Sequence, residues 1–491
     1  MKEILLILPN QLIKTIDISI KNIYLWYHPK YFTDLNYHKN KLHFHYASLM
    51  AYEDLMKKKY TVNTILNLNK IKISFIEKIH IYDPTDFEIE KEIKTFCKKH
   101  NIELNIMDSP LFILKRSELD EYINMCKSNK KNPYFNHTFY IWIRNKTKIL
   151  MKNNKPEGGK YSYDIKNRLP FKLDYKETKL KIYSNKYIKN AKNIIDKNFS
   201  TNPGEITSFI PVTYIDAKKH FHIFLEKKLK NFGPYEDAFK EDVLIGYHSC
   251  ISALLNVGLL DINYVIETTL EYSKKHTIPL QSVEGFLRQI ISWREYVRML
   301  YLYEHNKFNK MNFFKHTRKI NKNWYDGTTG MKPVDDVIKK VNKLSYAHHI
   351  ERLMIICNFA LLTKISPKEI YNWFLSFVSI DAYEWVMEPN VYGMGIHSVG
   401  TLMMNRPYFS SSNYLFKMGR ISKTKNKIVL DKEEYDWYEV WDSLYYNFIN
   451  SNKNYLKKIY STASAVGHLN KKPLAEIKKM LKIAKLYMKK Y

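Results

Sequence analysis

The chain has 491 residues, long enough for two or three domains with sizeable hydrophobic cores. It contains no run of about eighteen apolar residues, which excludes a predicted transmembrane helix. Lysine and arginine number 79 against 49 acidic residues, a net charge of +30, and this surplus favours a polyanionic partner, nucleic acid first. An AT-rich genome encodes a similar composition, and the surplus is spread along the chain, so charge does not locate a site.

The N-terminus and the cysteines indicate the compartment. The first nine residues lack the long apolar stretch and the cleavage site of a signal peptide. They predict a buried strand at Ile4–Leu8 instead. Paired spacing and metal-ligand spacing are both absent among the four cysteines, Cys97, Cys126, Cys250 and Cys357. We therefore expect a reducing compartment, cytoplasmic or nucleoid/nuclear rather than secreted, and neither a disulfide nor a zinc framework.

Residues 1–130 alternate strand-like and helix-like segments. The predicted elements are strand Ile4–Leu8, helix Tyr37–Lys59, strand Lys78–Tyr82, helix Phe87–His100 and strand Glu103–Met107. This alternation predicts a parallel sheet covered by helices, a Rossmann-like α/β domain. No glycine precedes Gly158, so the domain has neither a P-loop nor the G-x-G-x-x-G dinucleotide fingerprint.

The remainder divides into a connection and a helical region. Residues 131–230 contain turn signals, including Lys155–Asp164 and Asn202–Gly204, and predict an interdomain linker. From 231 to 491 the pattern is helical; Val283–Leu302 and His348–Lys364 place apolar residues at helical spacing. The sequence thus predicts an α/β domain over 1–130, a linker over 131–230 and an all-α domain over 231–491.

Two segments offer groups for binding, each with an ordinary structural alternative. Ser249 and Ser252 lie near a predicted helix start, where hydroxyls and free N–H groups bind phosphate, although simple N-capping is the commoner role. Glu284 and Arg288 are i,i+4 partners on a charged helix face, a pattern more typical of a solvated surface. These residues alone do not decide between the alternatives.

Two further segments contain candidate catalytic side chains. His348 and His349 point about 100° apart on a helix, so we expect that they do not both face one site, and they lack the i,i+4 spacing of a metal pair. One of them could exchange a proton near neutral pH, although a structural role is commoner. Tryptophans such as Trp373 are mostly core packing. Composition and spacing alone therefore predict a basic two-domain protein without a defined activity.

Longer motifs, taken in order, resemble the photolyase–cryptochrome family. They are most similar to its prokaryotic (6-4) photolyase branch, the iron–sulfur bacterial cryptochromes and photolyases. The motifs that carry the resemblance are Leu8–Leu12, Pro156–Asp164 with Asn167–Arg168, Ser282–Ile291 with Trp293–Arg298, Tyr346–His349 with Arg352–Met354, Asn358–Leu362, and Asp381–Met394. Together they extend over nearly the whole chain.

The resemblance implies an FAD cofactor in the helical domain, which would also bind DNA. On this basis His248, Ser249, Ile251 and Ser252 line the phosphate and ribityl region, Glu284 and Arg288 lie beside the cofactor, and Asp381 and Asn390 approach the isoalloxazine. The implied activity is light-driven electron transfer from reduced FAD to a flipped-out (6-4) pyrimidine photoproduct. The implied partner is UV-damaged DNA. The resemblance further implies that the protein acts as a monomer and does not associate with a membrane.

The same resemblance implies roles for individual side chains. His349 matches the histidine that donates a proton to the lesion, and Tyr408 matches a lesion-contacting tyrosine. Trp373 matches the flavin-proximal tryptophan of the photoreduction route, with Trp324 as a more distal member. Phe374 stands where a relay tyrosine is common, which puts the electron route in doubt.

The chain departs from the branch at two other cofactor sites. Relatives hold a [4Fe–4S] cluster through four cysteines, but Pro333 stands near the first expected ligand and residues 419–448 contain no cysteine. We therefore expect no cluster, with Tyr435, Trp437 and Trp441 filling that space. Relatives also bind a ribityl-lumazine antenna in the α/β domain, so the resemblance implies a candidate second chromophore of this type here, although Pro9–Asn10 and Asp83–Phe87 match the branch poorly.

Three alternatives remain at this point. A cyclobutane-dimer photolyase would use the same scaffold, and a cryptochrome would bind FAD and signal without repair. A DNA-binding protein without flavin is the remaining possibility. His349 and Tyr408 favour repair of (6-4) photoproducts.

Overall fold

A computed structural model describes residues 3–423 and 427–491, so the first two residues of the predicted α/β domain lie outside the described part. The N-terminal region forms a five-stranded parallel sheet in the order β3-β2-β1-β4-β5. The strands are β1 Glu3–Ile7, β2 Asn22–Trp26, β3 Thr61–Ile65, β4 Lys78–Tyr82 and β5 Glu103–Met107. The strand order reverses between β1 and β4, which creates a crevice at their carboxyl ends.

The predicted α/β domain is confirmed. Strands β4 and β5 have the predicted bounds, and so does helix α2, Phe87–His100. The Asp86 carboxylate caps α2 by accepting the N–H groups of Glu88 and Ile89, both at 3.1 Å. Strands β2 and β3 were not predicted. The edge strand β3, Thr-Val-Asn-Thr-Ile, buries only its last residue and lacks the alternation of a half-buried strand.

Helices surround the sheet and build the rest of the molecule. They are α1 Lys39–Met56, α3 Arg116–Ser128, α4 Asn136–Thr147, α5 Lys186–Asn198, α6 Tyr214–Lys227, α7 Leu229–Phe232, α8 Ser252–Val257, α9 Ile262–Lys275, α10 Leu280–Arg288, α11 Arg294–Lys310, α12 Asn323–Asp326, α13 Lys332–Leu344, α14 Asn358–Leu362, α15 Pro367–Trp373, α16 Glu384–Met387, α17 Ser412–Gly419, α18 Trp437–Leu456, α19 Tyr460–Asn470 and α20 Leu474–Lys490. Among the described residues, no helix combines the length and hydropathy needed to cross a membrane.

The segment predicted as a linker contains helices of its own. Residues 131–230 contain helices α4, α5 and α6. They also contain a short hairpin with two residues in each strand, β6 Met151–Lys152 and β7 Lys155–Pro156. Helix α5 packs on α1, where the ring of His43 hydrogen-bonds the Ile188 carbonyl at 2.9 Å. Part of this segment therefore covers the α/β domain.

The helical region also contains a second hairpin. Strands β8 Lys427–Leu430 and β9 Glu433–Asp436 pair antiparallel, so the expectation of a purely helical region is wrong here. Ile428, Leu430 and Tyr435 are buried, but each strand has only four residues. Such short strands give little alternation from which a sequence pattern can be recognised.

Four π-helical segments interrupt the helices of this region. They are Gln289–Trp293, Glu351–Cys357, Phe374–Val378 and Glu388–Gly395. A π segment widens a helix by one residue and frees backbone and side chains from regular packing, and such segments are frequent at functional sites.

Candidate functional site

The helical region encloses a cavity of about 640 Å³, within the range of roughly 300–1,000 Å³ typical of small-molecule and cofactor sites. All four π-helical segments contribute residues to its wall, among them Trp293, Arg352, Phe374 and Asn390. Interrupted helices therefore bound the cavity on several sides.

Most of the predicted site residues meet at this cavity. Its wall includes nine of them: His248, Ser249, Ile251, Ser252, Arg288, His349, Asp381, Asn390 and Tyr408. Glu284, Trp373 and Trp324 do not line it. Nine of the twelve residues predicted from the sequence therefore line one cavity, and the other three lie outside its wall.

Arg352 and Asp381 form a buried charged pair in the wall. The guanidinium Nη2 of Arg352 lies 3.2 Å from Asp381 Oδ1 and donates to Ser379 Oγ at 2.8 Å. Burial opposes ionisation of Asp381, but Arg352 and the hydroxyls of Ser252 and Ser379 outweigh it and hold the carboxyl pKa below its usual range. Asp381 therefore presents a negative charge at neutral pH.

Two stacked imidazoles form another part of the wall. The rings of His248 and His348 lie 4.6 Å apart at an interplanar angle of 16°. His248 Nε2 and His348 Nδ1 are buried without a hydrogen-bond partner among the described residues. Burial first, and nearby cations such as Lys340 second, lower the pKa of His248 to about 3 and hold the pKa of His348 far below normal. Buried polar atoms without partners are costly, which indicates that a polar ligand satisfies them.

Arg288 is surrounded by three carboxylates. Its guanidinium lies 3.3 Å from Glu284, 3.2 Å from Asp164 and 3.5 Å from Glu236. Glu284 lies behind it and accepts the Tyr140 hydroxyl at 2.7 Å, so it orients Arg288 rather than facing the cavity. Burial raises the pKa of Glu236 to about 7 despite the nearby Arg288.

Both adjacent histidines line the cavity, so the expectation that they do not face one site is wrong, but their surroundings differ. His348 is 3% exposed, whereas the exposed surface of His349 faces the cavity, with its ring 6.3 Å from the Trp293 ring. Because this cavity lies inside the protein, desolvation, and then the charges of Arg352 and Arg288, lower the pKa of His349 to about 4. Without a negative ligand nearby, the His349 ring is therefore neutral at pH 7.

Aromatic and cationic groups mark the cavity wall around Tyr408. The guanidinium carbon of Arg406 lies 5.2 Å from the centre of the Tyr408 ring, and both residues line the cavity. Arg406 and Arg168 are exposed. Arg168 also pairs with Asp164 at 3.0 Å. This arrangement offers a ring for stacking, with Arg406 beside it as a cation for phosphate groups and Arg168 as a second, paired cation.

The two candidate tryptophans lie in contact behind the wall. The rings of Trp373 and Trp324 are 5.5 Å apart, and the Trp373 ring is 5.6 Å from that of Phe374, which lines the cavity. Trp373 is 1% exposed and Trp324 3%. The pair thus leads away from the cavity but stops short of solvent.

The donors in this wall fit the cofactor implied by the sequence. An FAD carries two phosphates and a large apolar ring, and the wall combines Arg288, Arg352 and unpartnered imidazole nitrogens with apolar groups such as Phe374 and Met354. Sequence reasoning missed His348, Arg352, Trp293 and Arg406 as wall residues. The motif that contains Arg352 was recognised, but only the packing shows which of its side chains face inward.

The second expected chromophore does not fit the crevice of the parallel sheet. This crevice, lined by Asn10, Lys30, Lys41, Asp86 and Glu384 among others, holds about 30 Å³, the share of roughly one water molecule. The Nζ of Lys30 lies 2.9 Å from Asp86 and 2.8 Å from Glu384. The Nζ of Lys41 donates to the backbone carbonyls of residues 375 and 382, at 2.7 and 2.6 Å. These bonded side chains leave the crevice too small for a ribityl-lumazine.

The four cysteines of the chain are buried, and so are the aromatic residues in the region where relatives hold the cluster. Cys97, Cys126, Cys250 and Cys357 are free thiols, and no group of three metal-ligating side chains occurs within the described ranges. Trp437 and Trp441 are 0% exposed, and Trp441 stacks on Phe359 at 5.9 Å. Residues 424–426 of this region lie outside the described part.

Comparisons with known proteins give a consistent result. A family model described as deoxyribodipyrimidine photo-lyase-related protein matches residues 5–210. A (6-4) photolyase of Agrobacterium fabrum is 32% identical over 390 residues, which are 79% of this chain and 75% of that protein. This relative confirms the resemblance deduced from the motifs.

Solved structures share the fold. A cryptochrome of Synechocystis sp. PCC6803 has a TM-score of 0.58 at 13% identity, covering 85% of this chain and 86% of that one. An archaeal photolyase from Sulfolobus tokodaii, solved with two FAD molecules, has a TM-score of 0.56 at 14% identity, covering 97% and 100%. The predicted architecture of a parallel-sheet domain followed by a helical domain is thereby confirmed.

Proposed function

Because the chain belongs to the photolyase–cryptochrome family, we propose that it repairs (6-4) pyrimidine photoproducts in DNA, using reduced FAD held in the helical cavity. The relative at 32% identity is itself a (6-4) photolyase. The observation that carries the proposal is the position of His349, whose ring faces the cavity while its neighbour His348 is buried in the wall.

Several wall residues are suited to hold the cofactor. Ser249, Ser252 and the unpartnered Nε2 of His248 offer hydrogen bonds to phosphate or ribityl oxygens. The charged pair of Arg352 and Asp381 presents both a donor and an acceptor to a polar ring edge. Reduced FAD, when bound and excited by blue light, supplies the electron that starts repair.

His349 is the proton donor in this proposal. A neutral imidazole has no proton to spare for a lesion oxygen, and the pKa of about 4 leaves His349 neutral at pH 7. Negative charge in the cavity, from cofactor phosphates and the DNA backbone, raises this pKa because it favours the protonated ring. In this proposal His349 acts as an acid when that negative charge is present.

Tyr408 and the exposed cations receive the extruded base. Extrusion costs a few kcal/mol, least for a damaged base that already stacks poorly. The Tyr408 ring offers a stacking surface, and Arg406 and Arg168 attract the phosphates. Trp373 and Trp324 are the candidates for returning the flavin to its reduced state, since their rings are in contact behind Phe374.

The decisive experiment illuminates the purified, reduced protein with duplex DNA that contains a single (6-4) photoproduct and follows restored bases by chromatography. We expect light-dependent restoration. No restoration contradicts the proposed function, and a protein that instead restores only a cyclobutane dimer has the alternative repair specificity. Binding of FAD without repair of either lesion supports a cryptochrome.

The role of His349 is tested by His349→Asn. We expect unchanged flavin content and a repair rate at least about 100-fold lower, the lower end of a general-acid contribution. His222→Asn is the matched control, since His222 is exposed and bonded only to Tyr264 at 2.9 Å. Normal repair by His349→Asn contradicts the assignment.

A further inference from the structure

The end of the chain is far more basic than the rest. Residues 443–491 contain eleven lysines and a single acidic residue, Glu476. The expectation that the positive surplus is evenly spread is therefore wrong for this region. A concentration of one sign of charge on a defined surface is the electrostatic signature of a polyanion site.

Four of these lysines form one ridge along helix α20. Lys478, Lys482, Lys485 and Lys489 are spaced by four, three and four residues, which places them on one face of the helix. All four side chains are exposed. Among the residues that the structure describes, none of them forms an ion pair or a hydrogen bond, so their charges are available to a partner.

The opposite face of α20 is packed against the protein. Ile483, Ala484 and Tyr487 are buried, and the Tyr487 hydroxyl donates to the Thr329 carbonyl at 2.7 Å. The helix therefore holds the ridge rigidly. Its apolar face is also unavailable for insertion into a lipid surface, which an interfacial membrane helix requires.

The start of α20 lies near the loop that carries Arg406 and Tyr408. That loop leads into Ser412, whose N–H and hydroxyl donate to Asp442 on α18 at 2.8 and 2.9 Å. One turn along α18, the ring of Tyr446 lies 4.9 Å from the Nζ of Lys472, just before α20 begins. A single helical turn thus separates the loop at the cavity from the start of α20.

We propose that Lys478, Lys482, Lys485 and Lys489 bind the phosphate backbone of the DNA duplex beside the flipped-out base. The inference rests on the proposed repair function, because it assumes a duplex at the cavity. The ridge extends over about 16 Å at 1.5 Å per helical residue, which matches about five base pairs of B-DNA at 3.4 Å each. The ridge therefore extends the contact between protein and DNA backbone on one side of the lesion only.

The test is the salt dependence of DNA binding. We compare the wild-type protein with the quadruple variant Lys478→Gln, Lys482→Gln, Lys485→Gln, Lys489→Gln, using fluorescence anisotropy and a lesion-containing duplex. The logarithmic salt slope should decrease by about three to four, because each lost phosphate contact contributes about 0.9. Lys58→Gln, Lys91→Gln, Lys98→Gln, Lys99→Gln is the matched control, as these four lysines are exposed on the α/β domain.

Duplex length gives a second readout. Shortening the duplex on one side of the lesion should weaken wild-type binding more than shortening it on the other side, and the quadruple variant should lose this asymmetry. An unchanged slope in the variant overturns the inference, and so does an equal decrease in the control. Loss of binding to anionic vesicles with unchanged DNA binding overturns it in favour of a lipid surface.

These outcomes are separable from failure of the proposed function. A wild-type protein that binds the lesion-containing duplex but repairs nothing refutes the repair proposal while the slope comparison still applies. A variant with the wild-type flavin content, wild-type repair at saturating DNA and a reduced slope supports the ridge as a backbone contact.

Discussion

The helical cavity and the crevice of the parallel sheet both lie where ligands bind in related architectures, yet they differ about twentyfold in volume, about 640 against about 30 Å³. In the cavity, polar atoms such as His248 Nε2 and His348 Nδ1 lack partners. In the crevice, the Nζ atoms of Lys30 and Lys41 are fully engaged by carboxylates and carbonyls. A polar site that satisfies itself leaves no hydrogen bonds for a ligand.

The closed crevice instead joins the two domains. Lys41, on α1, donates to the carbonyl of Ala382, next to Asp381 in the cavity wall. Lys30 bonds Glu384 two residues further along. The sheet domain thereby positions the segment that supplies Asp381 to the cavity. Changes in the two regions should therefore have different consequences, loss of cofactor in one and loss of stability in the other.

The largest effect is expected for Asp381→Asn in the cavity. The change leaves the largely buried guanidinium of Arg352, 17% exposed, without its anion, which costs about 3 kcal/mol, and removes an acceptor from the wall. We expect loss of most bound flavin, measured as flavin absorbance per protein. Asp196→Asn is the control, because the Asp196 side chain is 54% exposed in its pair with Lys192. Full flavin content in Asp381→Asn would exclude Asp381 from the site.

The next effect is expected for Lys30→Met in the crevice. Asp86 and Glu384 lose their shared cation, and both side chains are largely buried, at 10% and 17% exposure. We expect destabilisation of about 2–3 kcal/mol, seen as a lower melting temperature, with flavin still bound. Lys94→Met is the control, since its pair with Glu90 is solvent-facing on the lysine side. Equal melting temperatures for the two variants would contradict a structural role of the crevice.

A smaller, pH-dependent effect is expected for Glu384→Gln. Burial first, and Asp86 second, raise the pKa of Glu384 to about 7, opposed by Lys30; Glu388 and the Tyr301 hydroxyl also face it. Between pH 4.5 and pH 7 the folded state then binds more protons than the unfolded state, so this group lowers the free energy of unfolding as pH rises. A glutamine does not ionise, so the Glu384→Gln variant does not lose stability in this way as pH rises.

The stability of Glu384→Gln relative to wild type should therefore rise between those pH values and stay constant above them. Denaturation at a series of pH values measures this difference. Glu103→Gln is the control, because Glu103 is 65% exposed in its pair with Lys78. A relative stability of Glu384→Gln that does not change with pH would show that Glu384 is not held in its protonated form by the crevice.

The smallest effect is expected when ribityl-lumazine is added to the protein. Because its crevice is filled, we expect no bound lumazine, no energy transfer to flavin and an action spectrum that follows flavin alone. Chromophore extraction and fluorescence excitation spectra measure this. Stoichiometric lumazine would show that the crevice opens and would remove the contrast between the two regions.

The sequence by itself determined the local elements and the family. Helix α2 has its predicted bounds, and the structure shows why they are local: Asp86 caps its start, and Ile89, Ile93, Phe96 and Cys97 are buried at helical spacing. The motifs that contain His349, Arg288 and Asp381 identified the residues of the cavity wall. The unpredicted strand β3 and the hairpin of β8 and β9 show where short, polar or irregular segments give no such signal.

Only the tertiary structure decided which side chain faces which space. It turned His349 into the cavity and buried His348 against His248, a distinction that two adjacent letters do not contain. It also placed Lys41 against Ala382, 341 residues away, and so closed the crevice. Local propensity fixes the backbone over a few turns, whereas contacts between distant segments depend on how whole elements pack. That packing is what gives this protein one open cavity and one filled crevice.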